Sequence, residues 1–369
     1  MMLRGEASTT TRWVAIALCA LVGTSAAILV ALGNPGHMGL CGACFLRDVA
    51  GALKLHQGPA ILRPEVAGLA LGALLWRLMS RQHVGRTGGH ALVRFLLCAA
   101  MAVGALVFLG CPFRLLQRLG GGDPSAWLAL PGLVLGVRAA MALERRGWSI
   151  GKTSEAPLAQ GLLAPLALAA PSGLFLLGGV LAGPGPGDGG APAHAPWLAA
   201  LALALGAGAI LSATGFCAIS AVRCAFGGAR WMLIAAVAVV AAYGGVALAG
   251  GVSSLGAAVQ PIAHGDWLWN TLALALVGAC GALAGGCPVR QIVMAGEGNG
   301  DAFVGCCGLL VGGALAHTLG LASAPATAAA AGGPTDAGRW AIALLLAAVF
   351  AYGVAALPRA NAAAPVSGR

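Results

Sequence analysis

A cysteine, a proline and an arginine occur together twice in this chain, each time directly after a long apolar run. The first copy is Gly110-Cys111-Pro112-Phe113-Arg114 and the second is Gly286-Cys287-Pro288-Val289-Arg290. A cysteine offers a soft, polarizable thiol with a weak S–H donor, whereas an arginine offers a permanent positive charge and a fork of N–H donors. Thiols are poor ligands for phosphate or carboxylate, so the pattern predicts an anion that contains sulfur or selenium.

A second pair of motifs repeats at the same distance. Cys41 and Arg47 are six residues apart, as are Cys217 and Arg223. The cysteine and the arginine of both motifs recur at an offset of 176 residues: 41 at 217, 47 at 223, 111 at 287 and 114 at 290. Four matches at one offset indicate that the chain is a duplicated unit. We therefore take four cysteines and four arginines as candidate residues of a substrate pathway: Cys41, Cys111, Cys217, Cys287, Arg47, Arg114, Arg223 and Arg290.

The composition is that of an integral membrane protein. Of the 369 residues 59% are hydrophobic and 9% charged, and the mean hydropathy is +0.89, whereas soluble domains carry about 25% charged residues. The net charge of +10 suits anionic lipid at cytoplasmic loops and an anionic substrate. Nucleic acid is not an expected partner, because no basic stripe with interleaved aromatic residues is present.

Ten apolar runs predict an all-α polytopic membrane protein. They cover residues 13–33, 64–79, 95–110, 126–143, 157–182, 197–213, 231–250, 268–285, 302–322 and 340–357. Five spans per half would insert the two halves in opposite orientations, giving two inverted five-helix repeats. We predict a first repeat at 1–182, a flexible Gly/Pro linker at 183–196 and a second repeat at 197–369.

The distribution of basic residues predicts that both termini are cytoplasmic. The loops after spans two, four, six and ten are basic, and those after spans five and seven carry no base, as the positive-inside rule requires. Four arginines lie in segments that this topology places on the periplasmic side, against the rule: Arg47, Arg63, Arg114 and Arg118. They lie in or beside motif segments, which we therefore predict to be short re-entrant or broken helices lining a cavity.

Arginines at membrane depth are costly and are functional candidates. They either attract the anion or pair with a carboxylate such as Asp48 or Asp301. Six further residues in the motif segments are secondary candidates, and the carboxylates among them could carry protons: Cys44, Asp48, Asp123, Glu297, Asn299 and Asp301.

Redox chemistry, metal binding and a structural role are the alternatives to transport. Cys41 and Cys44 form a CxxC that would suit redox or metal chemistry, but Ser220 replaces the second cysteine in the other half. No dinucleotide fingerprint, haem-attachment motif or P-loop occurs, so we expect a transporter without cofactor or metal rather than an enzyme. A membrane thiol or selenium redox enzyme and a structural membrane subunit remain the alternatives. Five cysteines in apolar runs are expected to be packing residues: Cys19, Cys98, Cys280, Cys306 and Cys307.

Further motifs accompany the repeated ones along most of the chain. They are Met38-Gly39-Leu40-Cys41, Cys44-Phe45-Leu46-Arg47-Asp48, Arg63-Pro64-Glu65, Leu109-Gly110-Cys111-Pro112-Phe113-Arg114, Gly121-Gly122-Asp123 and Ala295-Gly296-Glu297-Gly298-Asn299-Gly300-Asp301-Ala302-Phe303. In these segments the chain resembles the YeeE/YedE sulfur-transport family, and within it the YedE-type selenium metabolism membrane proteins.

The resemblance implies a multi-pass protein of the bacterial inner membrane that imports a selenium- or sulfur-containing anion, such as a thiosulfate-like species, in support of selenium metabolism. It implies that Cys41, Cys111, Cys217 and Cys287 pass the anion along through weak S–H contacts. The expected partners are this anion, the lipid bilayer and a cytoplasmic selenium- or sulfur-handling protein. The two halves differ in their sulfur residues, so they need not contribute equally to the pathway. Ser220 stands opposite Cys44, and the chain has three extra cysteines, Cys224, Cys306 and Cys307.

Overall fold

The computed structural model describes residues 9–151, 153–176, 193–227 and 230–357, and it is 69% helical with almost no strand. The elements of the first half are α1 (Thr9–Ala31), α2 (Gly42–Ala52), α3 (Pro64–Met79), β1 (Gly85–Gly88), α4 (Ala91–Val107), α5 (Pro112–Gly120), α6 (Pro124–Arg145), β2 (Thr153–Ala156) and α7 (Leu158–Leu176). Those of the second half are α8 (Trp197–Thr214), α9 (Ala218–Gly227), α10 (Trp231–Ala249), α11 (Trp267–Ala284), α12 (Pro288–Gly296), α13 (Gly300–Thr318) and α14 (Asp336–Ala355).

Eight helical segments in the described residues are long and apolar enough to cross a membrane, which makes the chain compatible with a multi-pass membrane protein. They are Thr9–Ala31, Ala91–Gly120, Pro124–Arg145, Trp197–Gly227, Trp231–Ala249, Trp267–Gly296, Gly300–Thr318 and Asp336–Ala355. The other two predicted spans correspond to α3, which has 16 residues, and α7, whose apolar stretch is Leu158–Gly173. The predicted count of ten is therefore not confirmed by helix length.

Four helices are short, and each follows a break in the chain at a repeated motif. They are α2, α5, α9 and α12, with 9 to 11 residues each. Proline occupies the first position of α5 and α12, where its missing N–H costs nothing. Just before them, Leu109 and Gly285 adopt left-handed backbone conformations, with φ of 60° and 91°. These residues end α4 and α11 and let the chain change direction.

The long helices pack in pairs that join the two halves. The pairs are α1 with α10, α3 with α8, α4 with α13 and α6 with α11. Glycines allow the close approach: a Cβ added to Gly132 or Gly136 of α6 would lie about 2 Å from the carbonyl oxygen of Thr271 or Ala275 of α11. Small residues at helix contacts are typical of packing in lipid. Gly132 lies against Thr271 and Gly136, four residues later, lies against Ala275, also four residues later. Helices α6 and α11 therefore run parallel.

The helix directions define two faces of the bundle. We call the face at which α1 begins the near face and the face at which α1 ends the far face. Asn34, just after α1, hydrogen-bonds to Glu65 at the start of α3, so α3 begins at the far face. Helix α4 ends beside the segment that leads into α11, where His264 Nε2 lies 2.9 Å from the carbonyl oxygen of Val107. Helices α4 and α11 therefore run in opposite directions.

A small two-stranded sheet covers the near face beside α13. Strands β1 and β2 are antiparallel, with Gly85 opposite Ala156 and Gly88 opposite Thr153. The predicted repeat boundaries at 182 and 197 remain predictions, since most of the linker 183–196 lies outside the described residues.

Candidate functional site

Each of the four motif cysteines stands at the amino-terminal end of one short helix. Cys41, Cys111 and Cys287 are the N-cap residues of α2, α5 and α12, and Cys217 directly precedes α9. All four side chains are buried and none is in a disulfide. The break-and-restart pattern of the chain therefore presents the same chemistry four times.

The fold brings these four cysteines from both halves to one place. The thiols of Cys41 and Cys111 lie close enough to interact, and the thiol of Cys217 accepts from the backbone N–H of Cys287 at 3.3 Å. Cys287 in turn lies near Cys111. The two pairs therefore form one centre, which we call the thiol centre.

Contact between α2 and α12 holds the thiol centre together. A Cβ on Gly42, the first residue of α2, would lie 2.5 Å from both the carbonyl carbon of Pro288 and the nitrogen of Val289. Only a glycine allows the two helix starts to touch in this way. Helix amino termini carry partial positive charge, so four converging termini create a positive potential around the thiols.

The thiol centre contains two kinds of hydrogen-bond donor. Backbone N–H groups point at the sulfur atoms, as that of Cys44 does at the thiol of Cys41 over 3.5 Å, and S–H groups act as weak donors. The site lies where helices break, and such irregular backbone at membrane depth is stable only when buried in protein or lining a cavity.

Arg114 is fully buried and its contacts are backbone carbonyl groups. Its Nε donates to His37 at 3.0 Å, one Nη donates to Leu109, and the other donates to Gly36 at 3.1 Å and Pro261 at 3.2 Å. The arginine therefore ties the loop after α1 to the loop before α11. No carboxylate of the described residues forms an ion pair with it.

Asp123 pairs with Arg118 rather than with Arg114. Arg118 Nε lies 2.7 Å from Asp123 Oδ2, and both side chains are buried. Asp123 also caps α6 by accepting from the N–H of Ser125. The alternative in which an arginine only pairs with a carboxylate thus applies to Arg118, four residues after Arg114, and not to Arg114 itself.

Arg290 differs from its counterpart Arg114 in having an ion pair. Its two Nη atoms lie 3.0 and 3.3 Å from the carboxylate oxygens of Glu297, which also binds Arg77 at 3.1 Å. The arrangement lies toward the near face, where α3 ends. In the adjoining loop, burial and the charge of Arg77 lower the pKa of His83 and favour its neutral form.

Asp301 and Asn299 organise the start of α13. Asp301 pairs with Arg94 at 3.3 Å and accepts from the N–H of Gly88 in β1 at 2.9 Å, so it does not hold Arg290. Asn299 caps α13 by accepting from the N–H of Ala302. Both residues attach strand β1 to the bundle rather than contacting the thiol centre.

Asp48 binds two arginines at the far face. The Nε atoms of Arg47 and Arg63 each lie 2.7 Å from one of its oxygens. Arg47 also contacts His317 Nε2 at 3.1 Å. Arg63 is fully buried, and its Nη2 has no hydrogen-bond partner among the described residues. Arg63 was missed as a site residue because no counterpart exists in the second half.

Arg223 is not brought to the thiol centre. It pairs in a bidentate manner with Glu144 at the end of α6, and about a third of its side chain is exposed. The equal spacing of Arg47 and Arg223 from their cysteines therefore does not produce equal environments.

Of the other cysteines, Cys44 lies beside Cys41, to whose thiol its backbone N–H donates at 3.5 Å. Cys19, Cys98, Cys280 and Cys306 are buried in the helical core, and Cys224 lies beside Met232. Within the described residues no group of three or more His, Cys, Asp or Glu side chains is placed to hold a metal ion.

Comparison with known proteins leaves the family open. No protein-family model matches the chain, and no similar curated protein was found. The class that the fold supports is a helical protein compatible with multiple membrane spans, with a buried thiol centre between its two halves.

Proposed function

We propose that this protein is a membrane transporter that imports a selenium- or sulfur-containing anion through the thiol centre. The observation that carries the proposal is the convergence of Cys41, Cys111, Cys217 and Cys287, each at a helix amino terminus, from two repeated halves. Positive helix ends attract an anion, and soft thiols favour sulfur or selenium over harder anions.

The two halves are proposed to be inverted repeats with both termini in the cytoplasm. Support comes from helix directions: α6 runs parallel to α11, and α13 runs parallel to α4, since Gly308 and Gly312 of α13 lie against Phe95 and Ala99. Helices α4 and α11 run in opposite directions, so the counterparts α6 and α13 do as well. The near face is then cytoplasmic and the far face is periplasmic.

The arginines on the two sides of the thiol centre are proposed to act differently. Arg114, on the far side, has no carboxylate partner and leaves a net positive charge near Cys111. Arg290, on the near side, is bound to Glu297. An anion from the periplasm would therefore be attracted first on the Arg114 side and would reach a more neutral environment beyond the thiols.

The resemblance to the YeeE/YedE family supports a bacterial inner membrane location and a cytoplasmic selenium- or sulfur-handling protein as the acceptor of the imported anion. The transport proposal includes no catalytic step.

Uptake into proteoliposomes tests the proposal. Purified protein reconstituted in lipid should admit labelled thiosulfate, selenite or hydrogen selenide faster than empty vesicles, and sulfate should compete poorly. Correctly inserted protein that admits none of the three would refute transport of this class of anion.

A thiol redox function is the second candidate, because Cys41 faces Cys111 and Cys217 lies against Cys287. This function requires a disulfide during turnover. Mass spectrometry of protein quenched during uptake would then show loss of two hydrogens at one pair, whereas transport predicts four free thiols throughout.

A further inference from the structure

A second polar site lies at the far face, around a carboxylate that the thiol centre does not use. Glu65 is fully buried in the first turn of α3. Its Oε1 accepts from Asn34 Nδ2 at 2.7 Å, and its Oε2 lies 3.5 Å from His194 Nε2. A buried carboxylate is costly unless it is paired and hydrogen-bonded, which makes Glu65 a candidate for a function of its own.

The contact between Glu65 and His194 is incomplete. Oε2 of the carboxylate and both ring nitrogens of His194 have no hydrogen-bond partner among the described residues. The two groups are therefore placed to share one added proton, which either the carboxylate or the imidazole can hold.

The charge of the surroundings depends on that proton. His194 is the titratable group in contact with Glu65. The nearby Arg63 is joined through Asp48 to Arg47, which also contacts His317. Two arginines balance the two carboxylates, so this group of residues is neutral without the proton and positive with it. Protonation thus favours an anion nearby.

Hydrogen bonds connect this pair to the thiol centre. Asn34 Nδ2 also donates to the carbonyl of Gly39 at 3.3 Å, two residues before Cys41. The intervening Leu40 donates its N–H to Gln117 of α5 at 3.2 Å. A change in the hydrogen bond between Glu65 and Asn34 is therefore transmitted to the segment that positions Cys41.

The second half has no equivalent of this site. Residues 32–40 separate α1 from Cys41, whereas only residues 215–216 separate α8 from Cys217. Asn34 belongs to the longer loop, and the position of Glu65 corresponds to Ala241 in the second half (65 to 241, the offset of 176). Among the described residues, the carboxylate and the long loop that form the proton site therefore occur in the first half only.

We infer that Glu65 and His194 bind one proton from the far side, and that this proton is transported inward together with the anion. The inference rests on the proposed transport function and names its coupling ion. A proton taken up from the medium makes the site positive, the anion binds at the thiol centre, and both are released at the near face. No bond other than those to the proton is made or broken.

The test uses proteoliposomes with trapped pyranine as a pH indicator and [35S]thiosulfate, which carries no proton at neutral pH. Voltage is clamped with potassium and valinomycin. With one proton per anion, an outside-acidic gradient of one pH unit sustains about tenfold accumulation of thiosulfate. Glu65→Gln keeps the acceptor for Asn34 but cannot be ionised, so its accumulation should fall to about onefold. Its exchange of internal for external thiosulfate should continue.

The controls separate this inference from the transport proposal. Asp336→Asn removes a carboxylate that is 90% exposed, and it should accumulate thiosulfate like the natural protein. His194→Gln should reproduce Glu65→Gln. If the natural protein admits thiosulfate but neither accumulates it with the gradient nor acidifies the interior, proton coupling is overturned while transport stands. If no thiosulfate enters even the natural protein, thiosulfate transport and its coupling both fail.

Discussion

At the residue scale, equal spacing in the sequence leads to unequal chemistry in the fold. Cys111 and Cys287 have matching positions at the starts of α5 and α12. Arg114 and Arg290 follow them at the same distance, yet one binds carbonyls and the other binds Glu297. The cysteines are therefore the symmetric part of the site and the arginines are the asymmetric part.

The motif cysteines should matter for transport and the core cysteines should not. We expect Cys111→Ala and Cys287→Ala each to reduce thiosulfate uptake at least tenfold at normal membrane abundance, because each removes one thiol of the centre. Cys98→Ala and Cys280→Ala, at equally buried positions, are the controls and should retain most of the uptake. Equal losses in both sets, measured per protein inserted, would mean that the motif cysteines act only through packing.

Replacement by lysine should distinguish the two arginines. Arg290→Lys keeps a cation for Glu297 and should retain much of the uptake. Arg114→Lys loses the planar fork that joins several carbonyl groups, so we expect a loss close to that of Arg114→Gln. Leaving buried carbonyls without donors should also lower stability by about 1–3 kcal/mol for each unsatisfied group, measured by thermal unfolding in detergent.

The double variant Arg114→Gln with Asp123→Asn completes this test. It should not recover uptake, because Asp123 binds Arg118 and not Arg114. Recovery would show that Arg114 only compensates a carboxylate and would remove its role beside the thiols.

At the element scale, the decisive contact is between the starts of two short helices. Gly42→Ala would place a methyl group 2.5 Å from the backbone of Pro288 and force α2 away from α12. We expect uptake to fall at least tenfold. Gly206→Ala in α8 is the matched control, since a Cβ there has no neighbour within 4 Å and alanine favours a helix by up to about 1 kcal/mol.

Thiosulfate uptake and the midpoint of thermal unfolding are measured for the Gly42→Ala and Gly206→Ala proteins and compared. A Gly42→Ala protein as active as the Gly206→Ala protein would show that the two helix starts can separate without harm to the pathway.

At the scale of the whole molecule, the interleaved helix pairs predict a definite topology. Reporter fusions at both termini should be cytoplasmic, and a reporter inserted in the linker 183–196 should be periplasmic. The physical reason is that five crossings precede the linker and basic residues cluster at the near face. A periplasmic terminus, or a cytoplasmic linker, would contradict the inverted arrangement.

Local features of the sequence predicted much of the framework. The run 64–79 coincides with α3 (Pro64–Met79), and Cys-Pro marks the starts of α5 and α12, because apolar runs and the fixed φ of proline act within a few residues. The count of ten spans is less secure, since length alone supports eight. The inversion of the repeats stays a prediction.

The duplicated motifs, the apolar helices and the breaks between them were determined by the sequence alone, since each depends on neighbouring residues. Tertiary structure decided which groups meet: Arg114 with Pro261, Arg223 with Glu144, and Glu65 with His194. These pairs were not readable beforehand, because a buried charge binds whatever donor or acceptor the packing of distant segments places beside it. The gathering of four cysteines into one centre has the same cause, the interleaving of helices from both halves.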